Sequence, residues 1–348
     1  MSRPDLSAVI ESIVSQPTAP FHEYHVKAKI VERLENCPHV SLLNDGFGNL
    51  IAHYHYGDNE AHWAFGSHMD HPGWVKRPPD APPLPDDQAY LDRGEYRFLG
   101  GVPAPFFETQ APIEEFGDFA MWKLPAFELT GDNRVVSRAC DDLVGCAAIV
   151  AAMEEMSREG IEASCYGIFT RAEEVGFVGA CELARNWPLA EDVVFCSIET
   201  SVAASRSAMG NGPICRVGDR LSIFDSEATA SMLAAAKNRR LRVQRALLDR
   251  GSCEATALQT YGIKTAGISV PLGNYHNCAP ENQIDAEYVS LADIDTLVNL
   301  MIAMASEFPP HDDTAEQDLR ESFDNRSHRY KEFAEASAEH FSASTATA

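Results

Sequence analysis

Basic residues are scarce in this chain: 28 Lys and Arg stand against 52 Asp and Glu, a formal net charge of −24. A nucleic-acid backbone is therefore a poor partner, because binding one depends on Lys/Arg stripes that displace counterions. The one dense basic stretch, Lys237 to Arg245, is expected on a solvated helix face. Long apolar runs are missing too, and nothing approaches the roughly 18 consecutive apolar residues of a membrane helix. Met1 to Pro17 mixes acids and polar residues into its apolar positions and has no unbroken apolar core, so a secretory leader is not expected. The nine cysteines are odd in number, scattered, and include no C-x-x-C pair. That argues against a disulfide framework or a zinc-thiolate knuckle and fits a reducing cytoplasm. Internal repeats are absent as well.

What is present is enough for a substantial core: 348 residues with 45% hydrophobic content, a length that suits two or three domains. Leu6 to Leu34 carries apolar positions at helical spacing, broken at Gln16-Pro17-Thr18-Ala19-Pro20, and reads as helix, turn, helix. Leu50 to His55 and Trp63 to Gly66 follow turn signals and read as strands. From 75 to 135 the composition shifts to dense Pro and Gly with short β-prone pieces, Tyr96 to Leu99 and Phe119 to Trp122, as in a small inserted β domain. The catalytic body then comprises 1–74 and 136–348. Its second part alternates: helix Leu143 to Ser157, strand Cys165 to Thr170, helix Ala180 to Asn186, strand Val193 to Ile198, helix Ser226 to Asn238, strand Thr265 to Val270, helix Ser290 to Ser306. The pattern implies an α/β fold with a mixed, largely parallel sheet covered by helices on both faces. The tail after about 309 holds nine acids and four bases, a small part of the net charge. Its Ala/Ser/Thr-rich end is expected to be disordered, with room for an amphipathic helix around Gln317 to Phe333.

Five short segments carry residues suited to metal chemistry. In Gly66-Ser67-His68-Met69-Asp70, at a strand end, an extended chain lets Asp70 orient the His68 imidazole from behind. In Ala139-Cys140-Asp141-Asp142-Leu143 two acids stand before an apolar helix. Asp142 is in place as an N-cap, which leaves Asp141 free to face the carboxyl edge of the sheet, where open α/β sheets place ligands. Glu173-Glu174 follows an apolar strand directly, and a crowded carboxylate pair is relieved by a bound cation. Glu199 ends another strand, and His276 lies in a loop after a third. Each is weak alone. Together, four of the five follow strands and the fifth precedes a helix, so all fall on one rim. Two imidazoles with three or four carboxylates suit a pair of divalent ions.

At this point the sequence resembles the clan of two-metal exopeptidases, and within it the glutamyl-aminopeptidase-like family that includes the tetrahedral, TET-type aminopeptidases. The likeness runs to about Leu300. It begins with Pro17-Thr18-Ala19-Pro20-Phe21-His22-Glu23 and continues through Asp45-Gly46-Phe47-Gly48-Asn49-Leu50 and Gly66-Ser67-His68-Met69-Asp70 to Gly117-Asp118. Ala139-Cys140-Asp141-Asp142, Glu173-Glu174-Val175-Gly176, Gly210-Asn211-Gly212-Pro213 and His276 complete the series. Eight pieces in family order are specific where each alone is not. The resemblance implies the zinc-exopeptidase fold and two bound metal ions, zinc first, cobalt or manganese otherwise. It implies that His68, Asp141 and Glu174 hold one metal, that Asp141, Glu199 and His276 hold the other, that Glu173 is the general base, and that Asp70 stands behind His68. The insert then corresponds to a lid or dimerisation domain of a homo-oligomer.

Three departures stand out: Glu199 where the family usually has Asp, Leu143 after the Asp-Asp pair where it has Arg, and His71 where an acid usually follows His-x-Asp. The expected activity is an aminopeptidase acting on peptides or small amides, in which two cations about 3.5 to 4 Å apart activate a shared water and Glu173 moves its proton. Glu199 keeps an aminoacylase-like deacylase or dipeptidase open, and a catalytically silent scaffold is the reading from another class. Glu254, in Gly251-Ser252-Cys253-Glu254, lies near the site in the family pattern without an assigned role. His53 and His55 read as solvated strand residues, and Cys140 and Cys278 as packing thiols.

Overall fold

The computed structural model describes residues 6–204, 207–307, 309–310 and 314–342. The first five residues, part of the segment read for a secretory leader, lie outside them. Helices α1 (Leu6–Val14) and α2 (Tyr24–Leu34) lead into strands β1 (Val40–Asn44), β2 (Leu50–Tyr56) and β3 (Trp63–His68). A second sheet follows, formed by β4 (Gly73–Lys76), β5 (Asp92–Arg93), β6 (Tyr96–Leu99), β7 (Ile113–Glu115) and β8 (Phe119–Trp122). The chain returns through β9 (Glu128–Leu129), β10 (Arg134–Ser137), α3 (Leu143–Glu159), β11 (Ala163–Thr170), α4 (Val178–Arg185), β12 (Val194–Val202), β13 (Ile214–Asp219), α5 (Ser226–Asn238) and β14 (Gln244–Leu248). Then come α6 (Glu254–Gln259), β15 (Thr265–Gly273), the short pair β16 (Cys278–Ala279) and β17 (Gln283–Ile284), β18 (Glu287–Ser290) and α7 (Leu291–Glu307).

The main sheet runs β1-β2-β11-β3-β12-β15-β18-β10-β9, with β13 on β15 and β14 on β13. Its four central strands, β11, β3, β12 and β15, are parallel, and the flanking pairs β2·β11 and β15·β18 are antiparallel. Parallel strands need both faces covered, and the side-chain alternation of these strands does this. Trp63 and Phe65 face a core shared with α1, α2, α3, α5 and α7, while Ala64, Ile168 and Phe195 face the smaller core under α4 and α6. Because the central strands run the same way, their carboxyl ends open on one rim.

The segment 75–135 carries the second sheet, which has a core of its own: Trp74 meets Trp122 and Phe98 edge-on, with ring centroids 4.2 and 4.8 Å apart. That sheet begins at Gly73, and the last residues of the segment pair with the main sheet instead, Val135 opposite Leu129 and Val289. The basic stretch is not one helix face. α5 ends at Asn238, and Arg245 falls in β14 beside β13.

The chain divides into two units, Met1–Pro310 and His311–Ala348. The second contains α8 (Thr314–Arg329) and α9 (Lys331–Ser342). Helix thus extends beyond the expected Gln317 to Phe333 into part of the Ala/Ser-rich end, where Ala, Glu and Lys are good helix formers and Lys331 pairs with Glu335 at 3.6 Å. The remaining expectation of disorder falls on 343–348, outside the described residues. Among the described residues no helix is long and apolar enough to cross a membrane.

Candidate metal centre

All five segments singled out in the sequence meet on the rim. His68 ends β3, Glu199 sits within β12 beside it, Glu173 and Glu174 follow β11, His276 follows β15, and Asp141 precedes α3. His68, Asp141, Glu199 and His276 are all buried. Asp141 lies between the imidazoles: its Oδ1 is 3.5 Å from His68 Nε2 and its Oδ2 is 3.5 Å from His276 Nε2. The other contacts divide the set differently from the expectation. Glu199 Oε2 is 3.9 Å from His68 Nε2, whereas Glu174 Oε1 is 3.1 Å from His276 Nε2. By these contacts His68, Asp141 and Glu199 gather on one side and Asp141, Glu174 and His276 on the other, while Asp142 also comes close to His68 and Glu199, and Glu173 and Glu174 to His68. β12 is hydrogen-bonded to both β3 and β15, and the difference lies in the strand ends: His68 is the last residue of β3, whereas His276 stands in the loop beyond Gly273, the last residue of β15.

Electrostatically, the cluster crowds carboxylates together in a buried place. Burial pushes the Glu173 carboxyl well above its ordinary range, and Glu174 and Glu199 add to the effect. Burial also raises Glu199 to about 7 and Glu254 to about 8. Against burial, the Glu173 charge holds the His68 imidazole well above its usual value, and the Glu174 charge does the same for His276. Asp141 is held below the carboxylate range, despite burial, by its bonds to the two histidines. Asp141 Oδ1 and Glu174 Oε1 are nonetheless buried without an aligned hydrogen-bond donor. Unpartnered carboxylate oxygens facing imidazole nitrogens form a donor set that divalent cations satisfy, so the residues fit a metal pair.

Asp70 does more than stand behind His68. Its Oδ1 accepts the amide N–H of Glu173 at 3.0 Å and its Oδ2 that of Glu174 at 3.1 Å, while His68 Nδ1 lies 3.1 Å from the Asp70 backbone carbonyl and 3.5 Å from Oδ1. It clamps the Glu173-Glu174 loop. The early motifs brace the same loop: buried Glu23 accepts from Arg171 Nε at 2.8 Å and from the Ala172 amide at 3.0 Å, and Asn49 Oδ1 accepts the Arg171 amide at 3.0 Å. Asp142 occupies the N-cap position of α3 but makes no capping bond. Its carboxylate instead accepts from the Ser67 hydroxyl, and Gly145 leaves room for it, since a Cβ there would lie 2.3 Å from Asp142 Oδ2.

Sequence reasoning missed Glu287 and the part played by His71. Glu287 is fully buried at the start of β18; its Oε2 accepts the amides of Cys140 and Asp141 and its Oε1 that of His276. Nothing in Asp285-Ala286-Glu287-Tyr288 distinguishes it from a surface acid. His71 Nδ1 lies 2.7 Å from the Asp141 carbonyl, and its Nε2 is 3.1 Å from Asn277 Oδ1. Here a departure from the family pattern was the available signal. Glu254 is fully buried with neither oxygen hydrogen-bonded. His53 Nε2 and His55 Nδ1 share the Ser164 hydroxyl away from the rim. Cys140 is buried and Cys278 half-buried, and burial raises both thiols.

A family model, M42 glutamyl aminopeptidase, matches residues 108–300. The chain belongs to the M42 glutamyl aminopeptidase family. Among curated relatives, an aminopeptidase candidate of Acetivibrio thermocellus is 29% identical over 201 residues, 56% of this chain and 58% of that protein. The aminopeptidase candidate FrvX of Escherichia coli K12 is 23% identical over 235 residues, 63% of this chain and 59% of that one. The matched stretch thus spans less than two thirds of either relative. The TET1 peptidase of Pyrococcus horikoshii, described as assembling into a tetrahedron or a large octahedral shell, superposes with a TM-score of 0.69 at 21% identity, covering 87% of this chain and all of that one (100%). Aminopeptidase APDkam598 of Desulfurococcus kamchatkensis gives 0.67 at 20% identity, over 88% and 96%. At these identities the likeness shows a shared fold and nothing further.

Proposed function

We propose that this M42 chain is a two-metal aminopeptidase that hydrolyses the N-terminal residue from peptides. One observation carries the reading: six ligand and base residues from five separate segments converge on one buried cluster in which Asp141 touches both imidazoles. His68, Asp141 and Glu199 would hold one divalent cation, and Asp141, Glu174 and His276 the other. Mixed imidazole and carboxylate donors favour zinc and are compatible with cobalt or manganese. Such a pair supplies Lewis-acid activation of a water and of the scissile carbonyl.

The chain's own residues do the rest. The Glu173 carboxylate accepts the proton of the attacking water and returns it to the leaving amine. Asp70 keeps Glu173 and Glu174 in register through their amides, and Glu287 does so for Asp141 and His276. A cleft of about 600 Å³, lined by His68, Glu173, Glu199, Arg216 and Tyr275 among others, has room for the end of a peptide. The assemblies described for the TET1 peptidase support a homo-oligomer of this chain, and its nine free cysteines support a reducing, cytoplasmic setting.

Glu173→Gln tests the reading: both metals stay bound while the rate falls at least about a hundredfold. A panel of free-amine peptides and N-acyl amino acids separates the aminopeptidase from a deacylase. Turnover of N-acyl substrates alone, or none with two metals bound, overturns the proposal.

A further inference from the structure

Tyr275 stands between His276 and the cleft. Its ring stacks on the His276 imidazole, with centroids 3.7 Å and planes 22° apart, and it is 40% exposed where His276 is buried. It lines the cleft together with His68, Asp141, Glu173, Glu174 and Glu199. Among the described residues its hydroxyl has no hydrogen-bond partner. Burial, and after it the charges of Asp141, Glu174, Glu173 and Glu199, hold that hydroxyl well above the ordinary tyrosine range, which sets it beside those carboxylates.

The backbone under it is tightly fixed. Asn274, His276 and Asn277 have φ of 54°, 54° and 62°, in the left-handed region that residues other than glycine rarely adopt. Such strain persists only where surrounding contacts over-determine it, and they do so here. Asn274 Nδ2 donates to the Ala286 carbonyl, the His276 amide to Glu287 Oε1, and Asn277 Nδ2 to the Arg138 carbonyl. A strained loop clamped at three points thus presents a phenol with nothing to bind. A fixed donor that borders open space beside the general base suits charge that develops during reaction, because it meets that charge without reorganising.

We propose that the Tyr275 hydroxyl donates a hydrogen bond to the oxygen of the scissile carbonyl as its carbon becomes tetrahedral, an inference that rests on the aminopeptidase reading. The water oxygen bonds to the carbonyl carbon, the carbonyl π pair moves onto its oxygen, and a water proton passes to Glu173. Tyr275 meets the oxyanion so formed and keeps its own proton. When the pair returns to the carbon, the C–N bond breaks and the leaving amine takes the proton from Glu173.

The test compares Tyr275→Phe, which keeps the stacked ring and removes only the hydroxyl, with Tyr275→Leu, which removes both. On the metal-loaded full chain, with the free-amine peptide that wild type cleaves fastest, Tyr275→Phe is expected to lose about a hundredfold in kcat, the size of one oxyanion donor. KM and the metal content stay unchanged. Calorimetry on Glu173→Gln protein reads binding without turnover. There, adding Tyr275→Phe weakens the α-aminophosphonate of leucine, whose tetrahedral centre resembles the oxyanion, by about tenfold or more and leaves leucinamide, with its planar carbonyl, unchanged. A ring that only packs on His276 gives the reverse: full kcat and full phosphonate affinity in Tyr275→Phe, with metal or melting temperature lost in Tyr275→Leu. That result would overturn the assignment. If no free-amine peptide is cleaved with both ions bound, the aminopeptidase reading falls, and the calorimetric pair still decides for or against the hydroxyl.

Discussion

Glu287 holds Asp141 by its backbone: Oε2 accepts the Asp141 amide at 2.9 Å while Oε1 accepts the His276 amide at 2.8 Å. One carboxylate thus fixes the spacing between Asp141, the proposed shared ligand, and the His276 imidazole opposite it. Removing such outer partners typically weakens metal binding by about 10- to 100-fold. Glu287→Gln keeps one acceptor oxygen and is expected to lose metal affinity within that range while remaining folded. Glu287→Ala strands three buried amides and lowers the melting temperature as well. Metal titration beside circular dichroism checks both.

Asp70 braces the opposite side. Asp70→Asn puts an NH₂ against the Glu173 or Glu174 amide, which cannot accept it. The loop carrying Glu173 and Glu174 shifts, and kcat is expected to fall by about a hundredfold, the cost of a small misplacement of a reacting group. Steady-state kinetics at saturating metal separate this from metal loss.

The second sheet reaches the centre through one loop. His276 Nδ1 lies 3.1 Å from the Gly101 carbonyl, which favours the tautomer whose Nε2 faces Asp141 and Glu174. Gly100 has φ +125°, and a Cβ there would lie 2.6 Å from the Pro72 Cβ. Gly100→Ala is therefore expected to displace the carbonyl and weaken the His276 side by about tenfold or more, with the His68 side less affected. Stepwise metal titration reads the two sides separately.

Proton linkage gives a pH prediction for the metal-free protein. Burial raises Glu199 and Glu287 to about 7 and Glu254 to about 8, from an ordinary value of 4.5. Between pH 4.5 and 8 the folded state binds more protons than the unfolded chain, so stability falls as pH rises. His68 and His276, also raised, act in the same direction. Calorimetry in chelator should show a melting temperature lower at pH 8 than at pH 5, restored at pH 8 by divalent metal. A melting temperature that climbs through this window would contradict the linkage.

Much of this was legible in the sequence, for a physical reason. Alternating strand and helix patterns give parallel strands, parallel strands end on one rim, and acids or histidines just past Trp63 to Gly66, Cys165 to Thr170 and Thr265 to Val270 must gather there. What the pattern does not carry is lateral order. That Glu199 comes beside His68 at the end of β3, while His276 in the loop beyond β15 comes beside Glu174, is a tertiary fact. β13 and β14 were missed because Ile214–Asp219 is short and Gln244–Leu248 continues a basic stretch that reads as helix. Glu287 reveals its role only once it is buried against three amides. Asp142 deceived in the other direction, since an acid before a helix looks like a cap until Ser67 is seen to bind it.

The most direct test counts metal ions per chain by elemental analysis after dialysis, in wild type, His68→Ala, His276→Ala and Asp141→Asn. The account predicts two ions in the wild type, one in each histidine variant, and loss of both in Asp141→Asn, because Asp141 serves both sides. Two ions retained by folded Asp141→Asn, or none bound by wild type in excess zinc, cobalt or manganese, would contradict it.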